Sequence, residues 1–321
     1  MTPISTRARN PEEQSRMFLR QFEYLVALSE KKHFGHAATS CNVSQSGLSN
    51  AIRQLEDELG ITIVLRDRKF LGFTDEGRRL VEWAQRLLVD RDTMLQELSH
   101  MRGALHGHLR LGAMPSSSPI LPHLTSKLTR RHPNLTISIQ FLAIGEIRRQ
   151  ILNFEIDIGV GYLSLVGSQQ IAMRLLYNDD MGLLVPSRSP LAALDTVSWR
   201  EAAGVPLCLL PGTMEERRIV DSVFAAQGLH VKPRIEADSF VNLAFHVMQG
   251  DYSTVIAGHF RTVLGAFPNT KIIGLISPKI QQQIGIFWFD KKPILPLIGA
   301  VHDLLNEIDD IDNAWLAPIG G

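Results

Sequence analysis

The sequence predicts an α/β protein with an all-helical front end: a small N-terminal unit of short helices closed by a hairpin, one long helix, then a two-lobed α/β region. Three observations carry this. Apolar residues recur at helical spacing through Leu48, Ile52, Leu55 and Leu59. They recur again, in alternating four- and three-residue steps broken by Arg91, through Leu80, Ala84, Leu87, Met94, Leu98, Met101 and Leu105. From Leu109 onward, short apolar strands alternate with helical stretches, the pattern of a parallel sheet.

Residues 1–15 are polar, contain Pro3, Arg7, Arg9 and Pro11, and lack an apolar centre, so they read as a flexible extension and not as a secretory signal. The first helix is expected from about Arg16 to Glu30, with Phe18, Phe22, Leu25 and Val26 inward. Between Lys31 and Leu55 no residue is acidic. Within that stretch the small pair Ala37-Ala38 lets helices approach, Asn42-Val43 makes a turn, and Ser44 is an N-cap whose hydroxyl takes an orphan amide. The next helix turns Leu48, Ile52 and Leu55 inward and shows Gln45, Ser46, Ser49, Asn50 and Arg53 on its other face. These side chains hydrogen-bond and none is acidic, which suits base edges and phosphates. The motif, about 34–53, is a helix-turn-helix with an exposed reading face. After Gly60, the runs Ile61–Leu65 and Phe70–Phe73 alternate apolar and polar residues around Asp67-Arg68, which reads as a hairpin or wing. Its tip is net positive, and Arg66, Arg68 and Lys69 are candidate contacts to phosphates or a minor groove.

The run Val43-Ser44-Gln45-Ser46-Gly47-Leu48-Ser49, with Ile52, Leu55-Glu56, Leu59-Gly60, Leu65-Arg66, Phe73-Thr74 and Gly77, resembles the N-terminal signature of LysR-type transcriptional regulators. The order and lengths of the later segments agree, so the resemblance covers nearly the whole chain. Ser46-Gly47 stands where the family usually has Pro-Ala, and Asn50 where it has a basic residue. Both departures bear on base preference. The resemblance implies a winged helix-turn-helix at 16–75, a linker and dimerisation helix at 76–105, and an effector domain at 106–321 akin to bacterial solute-binding proteins. Its lobes would be about 107–165 with 270–321, and about 172–268. It further implies double-stranded operator DNA with inverted repeats as partner, a homodimer through the linker helix, and a homotetramer bending the duplex. RNA polymerase joins the partners if the protein activates. The apolar steps of the long helix themselves argue for a coiled-coil seam, beside the plainer reading of a helix packed on its own domain.

The bulk numbers fit. At 321 residues, 45% apolar and with mean hydropathy near zero, the chain is long enough for two or three domains. No stretch is long and apolar enough to span a bilayer, so the expected location is the cytoplasm, with no membrane partner. The net charge of zero conceals an asymmetry. Acids gather at Glu56-Asp57-Glu58, while Lys31, Lys32, Arg53, Arg66, Arg68 and Lys69 fall where a duplex would lie, and DNA binding depends on local potential. Cys41 and Cys208 are too few and too far apart for a disulfide framework and are expected as small apolar residues.

Gly103 and Gly107, among His100, His106 and His108, mark a hinge. Strands are expected at Leu109–Ala113, Leu135–Leu142 and 156–160, with helices starting near Pro119 and Glu146. A second group begins near Leu175, with strands at Met181–Val185, Leu207–Leu210 and Thr254–Ile256 and helices at Glu215–Gln227 and Ser239–Gln249. The chain then returns to the first group through Gln283–Phe289 and a last helix, Ile294–Ile308.

Ligands of such sheets bind beyond the carboxyl ends of the strands. The first such loop holds Ser116, Ser117 and Ser118; Ser118 would cap a helix starting at Pro119, whose free amides favour an anion. The matching turn of the second group offers Thr213. The resemblance places effector contacts at these loops, at the turn after Leu142 with Gly145, and at Gly161-Tyr162. His259 stands where the family commonly has an apolar residue, and reads as an unusual ligand contact or as a surface histidine. The expected effector is a small carboxylate or other anion, or an aromatic held on an apolar wall.

Catalysis is not expected. The chain has no Gly-x-Ser-x-Gly elbow, phosphate-binding loop or zinc-protease motif, and Gly159-Val160-Gly161 does not open a helix. His33 with His36, and His106 with His108, lack the further ligands a metal site needs, so neither metal nor cofactor is expected. The alternative to a regulator is a solute-binding or sensor module that does not act through DNA. It accounts for the residues after Leu105 and leaves Gln45 and Arg53 without a purpose.

Overall fold

The computed structural model describes residues 19–66, 70–101, 105–263 and 267–307. Contacts divide the chain into a unit ending at Glu97 and another beginning at Leu98. The N-terminal extension, Phe18, Arg68, Lys69 and Gly103 lie outside the described residues.

In the first unit, α1 (Leu19–Lys31), α2 (Phe34–Ser40) and α3 (Gln45–Leu59) are followed by the hairpin β1 (Val64–Arg66) and β2 (Phe70–Phe73) and the start of α4 (Asp75–Met101). The core follows from helical periodicity: Phe22, Leu25, Leu28, Ala37, Ala38, Leu48, Ile52, Leu55, Ile63 and Ala84 close on one another. Each large aliphatic side chain here removes apolar surface worth roughly 1.5–3 kcal/mol. Val26 is only half-buried and Leu59 is exposed, so the apolar face of α3 ends one turn earlier than the spacing predicts. Gly77 is required at the start of α4: a Cβ there would stand 2.1 Å from the Ile63 carbonyl oxygen. Thr74 fixes the same junction, accepting from the Gly77 amide at 2.9 Å and donating to the Thr62 carbonyl at 2.6 Å.

The predicted seam of α4 divides. Leu80 is half-buried and Ala84 fully buried in the core of the first unit, and Arg91 forms an ion pair with Glu23 of α1. Leu87, Met94 and Leu98 remain exposed, joined by Trp83 and Leu95. Leu105 lies beyond the helix and is buried in the core of the second unit.

The second unit contains β3 (Gly107–Ala113), α5 (Leu121–Arg131), β4 (Leu135–Phe141), α6 (Ile144–Leu152), β5 (Ile158–Tyr162) and β6 (Ile171–Pro186). There follow β7 (Thr196–Ser198), α7 (Trp199–Ala203), β8 (Cys208–Leu209), α8 (Glu215–Ala226), β9 (Ile235–Glu236), α9 (Phe240–Met248), β10 (Thr254–Ala257), α10 (Phe260–Val263), β11 (Thr270–Ile276), β12 (Gln281–Phe289) and α11 (Pro296–Glu307). Strand order in the main sheet is β4-β3-β5-β12-β6-β11-β7, with β10 also paired to β6. The central strand β6 makes the two lobes continuous. Ile171 to Asp180 pairs antiparallel with β12, and Met181 to Pro186 pairs with β10 and β11. Asp179 and Asp180 therefore mark the crossover. The segment 270–276 belongs with the second lobe through β6 and β7, so the return to the first lobe comes at β12 and not at residue 270 as expected. The first lobe has one core around Leu111, Ile147, Val160 and Phe287; the second has one on each side of its sheet, around Trp199 with Phe224 and around Leu243 with Ile256.

Candidate functional site

The helix-turn-helix is built from local signals. His33 opens α2, its ring nitrogen accepting from the Gly35 and His36 amides, and Asn42 takes a positive φ of 55° in the turn. Ser44 caps α3 by accepting from the Gly47 amide at 3.1 Å. With Leu48, Ile52 and Leu55 fully buried, Gln45, Ser46, Asn50 and Arg53 are exposed and Ser49 is half-exposed on the opposite side. Arg66 behaves differently. Its guanidinium turns back to Glu56, whose other oxygen accepts from the Ile63 and Val64 amides at 2.9 and 3.0 Å. Glu56 thereby ties the reading helix to the wing, and Arg66 serves that tie in place of the expected outward contact. The half-buried pair has fewer neighbours in water, so the ion pair wins over solvation.

The second candidate is a cavity of about 30 Å³ at the crossover of β6, bordered by Tyr162, Asp179, Asp180, Glu216, Arg217, Phe240 and Gln282. This is where strand order reverses in an open sheet and ligands gather. Among the expected effector contacts, Tyr162 borders the cavity and Ser116 is fully buried beside the Tyr162 hydroxyl and the Glu216 carboxyl. Ser118 is not a helix cap: Pro115–Ile120 is a 3-10 turn opened by Met114, and the Ser118 hydroxyl donates to the Pro115 carbonyl. Ser117 donates to the Met114 and Val160 carbonyls, at 2.7 and 3.2 Å. Two of the serines thus hold their own loop, while Ser116 meets two residues of the cavity wall, Tyr162 and Glu216. Gly161 serves close packing, since a Cβ would meet the Met114 side chain at 2.8 Å. Gly145 and Thr213 are exposed and do not border the cavity.

His259 is no surface residue. It is 4% exposed, stacks on Tyr177 with ring centroids 3.9 Å apart, and its amide donates to Asp179 at 3.0 Å. Burial pushes its imidazole down to about 4, and burial pushes the Asp179 carboxyl up to about 7. Burial likewise raises Glu216 and Tyr162. Arg217 lies at the wall but is already held by Asp221 at 2.7 Å, Glu236 at 2.8 Å and the Leu210 carbonyl at 2.7 Å. Sequence reasoning missed Asp179, Asp180 and Glu216. The doublet Asp179-Asp180 inside an otherwise apolar strand run was the available signal.

Two family models match the chain. A bacterial regulatory helix-turn-helix model of the lysR family covers residues 19–78, and a LysR substrate binding domain model covers residues 102–309. The chain belongs to the LysR family. As a LysR-family protein it is a DNA-binding transcriptional regulator with an effector-binding domain, and not an enzyme. A sensor that does not act through DNA accounts for no part of residues 19–78. The LysR-family chain is 28% identical to the hydrogen peroxide-inducible genes activator of Haemophilus influenzae, over 92% of this chain and 97% of that protein. It is 32% identical to the protein of the same name from Dickeya chrysanthemi, over 60% of this chain and 64% of that one. The fold is similar to that of a full-length OxyR variant from Pseudomonas aeruginosa, with a TM-score of 0.68, 23% identity, and 90% and 97% of the chains covered. It is also similar to full-length CbnR in complex with its target DNA, with a TM-score of 0.62, 20% identity, and 91% and 99% covered. No described helix is long and apolar enough to cross a membrane.

Proposed function

We propose that this LysR-family regulator binds an operator of inverted repeats as a dimer or dimer of dimers, and that a small effector entering at the β6 crossover changes how it holds DNA. The observation that carries the reading is the division of α3 into a buried apolar face and an exposed face of Gln45, Ser46, Ser49, Asn50 and Arg53. Such a face places donors and acceptors along a major groove. Arg68 and Lys69 remain candidates for the wing, while Arg66 is committed to Glu56. The exposed row Trp83, Leu87, Met94, Leu95 and Leu98 on α4 supports pairing through that helix, since a monomer would leave these side chains in water. Two-fold pairing matches a two-fold operator. The regulator acts where DNA is, in the cytoplasm, and meets RNA polymerase if it activates.

Relatives are named for hydrogen peroxide, which raises the question of a thiol sensor. The chain's cysteines do not favour it: Cys208 is fully buried and burial pushes its thiol up to about 11, and burial also raises Cys41, which belongs to the DNA-binding unit. Reactive cysteines need an accessible thiolate. A reversibly bound effector fits this chain better than an oxidation switch. Ligand control then requires one lobe arrangement to bind effector more tightly than another.

Selection of bound sequences from a random duplex library, followed by footprinting, tests the reading. Enrichment of an inverted repeat with two protected half-sites is the expected result. Salt-sensitive binding without enrichment would reject sequence-specific regulation. On the selected operator, Arg53→Ala is expected to lower affinity by roughly 1–3 kcal/mol; unchanged binding in a titration would remove Arg53 from the interface.

A further inference from the structure

The walls of the effector cavity have the wrong charge for an anion. Asp179, Asp180 and Glu216 border it together. Asp180 is paired on one oxygen with Lys279 at 2.8 Å, and its other oxygen is buried without a hydrogen bond among the described residues. Asp179, 3% exposed, receives the His259 amide on one oxygen while the other is buried with no partner among the described residues. One oxygen of Glu216, a residue 6% exposed, is likewise unpartnered. Among the described residues that border the cavity, Arg217 is the one cationic side chain, and it is spent on Asp221 and Glu236. The Ser116 hydroxyl is fully buried beside the same groups, Tyr162 and Glu216. Buried polar atoms are nearly always satisfied, so a group of acceptors aimed at one space implies a donor that fills it.

We propose that the effector is a small cation, a primary amine or comparable ammonium compound, whose charged head lies beside Tyr162 between Glu216 and Asp179. This rests on the reading of the chain as an effector-responsive regulator and deepens it. An ammonium carries three donors and a positive charge, which suits unpaired carboxylate oxygens and the Ser116 hydroxyl. The Tyr162 ring adds a face that attracts a cation. A volume of about 30 Å³ admits a head group of that size and leaves the remainder of the ligand to open the cleft. The amides expected to hold an anion are not free for one: Pro115–Ile120 is a 3-10 turn, the Ser117 and Ser118 hydroxyls are bonded within their loop, and the Ser116 amide is directed to the Glu216 carboxyl.

The test uses the full chain, with thermal unfolding and operator affinity read at constant ionic strength. The probes are methylammonium, ethanolamine and 1,3-diaminopropane, against acetate, benzoate and glycerol. The amines are expected to raise the unfolding temperature in a saturable way, and Glu216→Gln to weaken their apparent Kd about tenfold or more. Glu216→Gln is also expected to stabilise the unliganded chain, since burial disfavours the charged carboxylate and the substitution removes that charge without changing shape; that second readout holds whether or not the amine response is lost. Stabilisation by acetate or benzoate, by glycerol alone, or by none of the probes would overturn the cation assignment. So would an amine response identical in Glu216→Gln. Each of these leaves operator selection intact, whereas failure to enrich an operator would overturn the regulator reading itself.

Discussion

The proposed reading helix and the proposed effector cavity use polar side chains in opposite ways. On α3 the functional groups stand in water, and the buried face beneath them is entirely apolar: Leu48, Ile52 and Leu55. At the proposed effector cavity the polar groups are themselves buried, with Asp179 and Glu216 in its wall and Ser116 and His259 against them all under 7% exposed. The first arrangement costs almost nothing in the absence of DNA, because water satisfies every donor and acceptor. The second is costly without a ligand, since an unsatisfied buried polar group costs about 1–3 kcal/mol and a charged one more. A DNA reader built this way is always ready. A sensor built this way is poised between arrangements, which is what a ligand-controlled switch needs.

The contrast is sharpest in stability. Ile52→Ala, which removes only apolar atoms under the reading face, is expected to destabilise the first unit by about 2–5 kcal/mol and to abolish operator binding. Chemical denaturation followed by circular dichroism measures it. A loss below about 1 kcal/mol would mean that the site collapses freely and that the face is not held by its core.

A smaller but more specific effect is expected at Glu56. Removing its carboxylate leaves the Ile63 and Val64 amides and the half-buried Arg66 without their acceptor, so Glu56→Ala should cost about 3 kcal/mol. Glu56→Gln keeps an oxygen for the amides and loses the ion pair, and is expected to recover roughly half of that. Equal losses for the two variants would assign the tie to charge alone. Neither substitution touches the reading face, so a drop in operator affinity reports the coupling of helix and wing.

What could be read in advance follows the same division. The helix-turn-helix was legible because its signals are local: Ser44 caps the helix it precedes, and the apolar face repeats within fifteen residues. The role of Glu56 was not, because its partners come seven to ten residues later and depend on the wing folding back. The cavity was still less legible. Glu216 reads as an ordinary acid in the first turn of α8, favoured there by the helix dipole. Asp179 lies just before the expected strand Met181–Val185, and its burial depends on β12, about a hundred residues on, pairing with β6. Ser116 was found through its loop, whereas the serines beside it owed their hydroxyls to that loop's own carbonyls.

The buried half also makes a pH prediction that the exposed half does not. Asp179 is pushed up to about 7, so the native chain holds a proton there that the unfolded chain gives up near 4. Its contribution to stability is present below about 4 and is lost as pH rises through 7. His259 runs the other way: held down to about 4, it contributes fully above about 6.5 and loses that as pH falls. Lys279, Asp180, Arg261, Tyr177 and His123 surround the pair and are common to both proteins compared. The difference between Asp179→Asn and the native chain therefore isolates the carboxyl. The variant should gain about 2 kcal/mol relative to the native chain between pH 5 and pH 8. A flat difference in denaturation midpoints across that range would mean that Asp179 is ionised throughout.

The smallest expected effect tests where the cavity ends. Thr213 lies in the exposed turn before α8, outside the residues that border the cavity. Thr213→Ala should therefore shift stability by no more than about 0.5 kcal/mol and leave effector affinity unchanged, while Ser116→Ala should weaken it. A measurable loss of effector binding in Thr213→Ala, by isothermal titration, would show that the ligand reaches beyond this volume to the turn. The liganded lobes would then have to stand further apart around β6, and the ligand would have to extend from the Glu216 end of the cavity out along the N-terminus of α8.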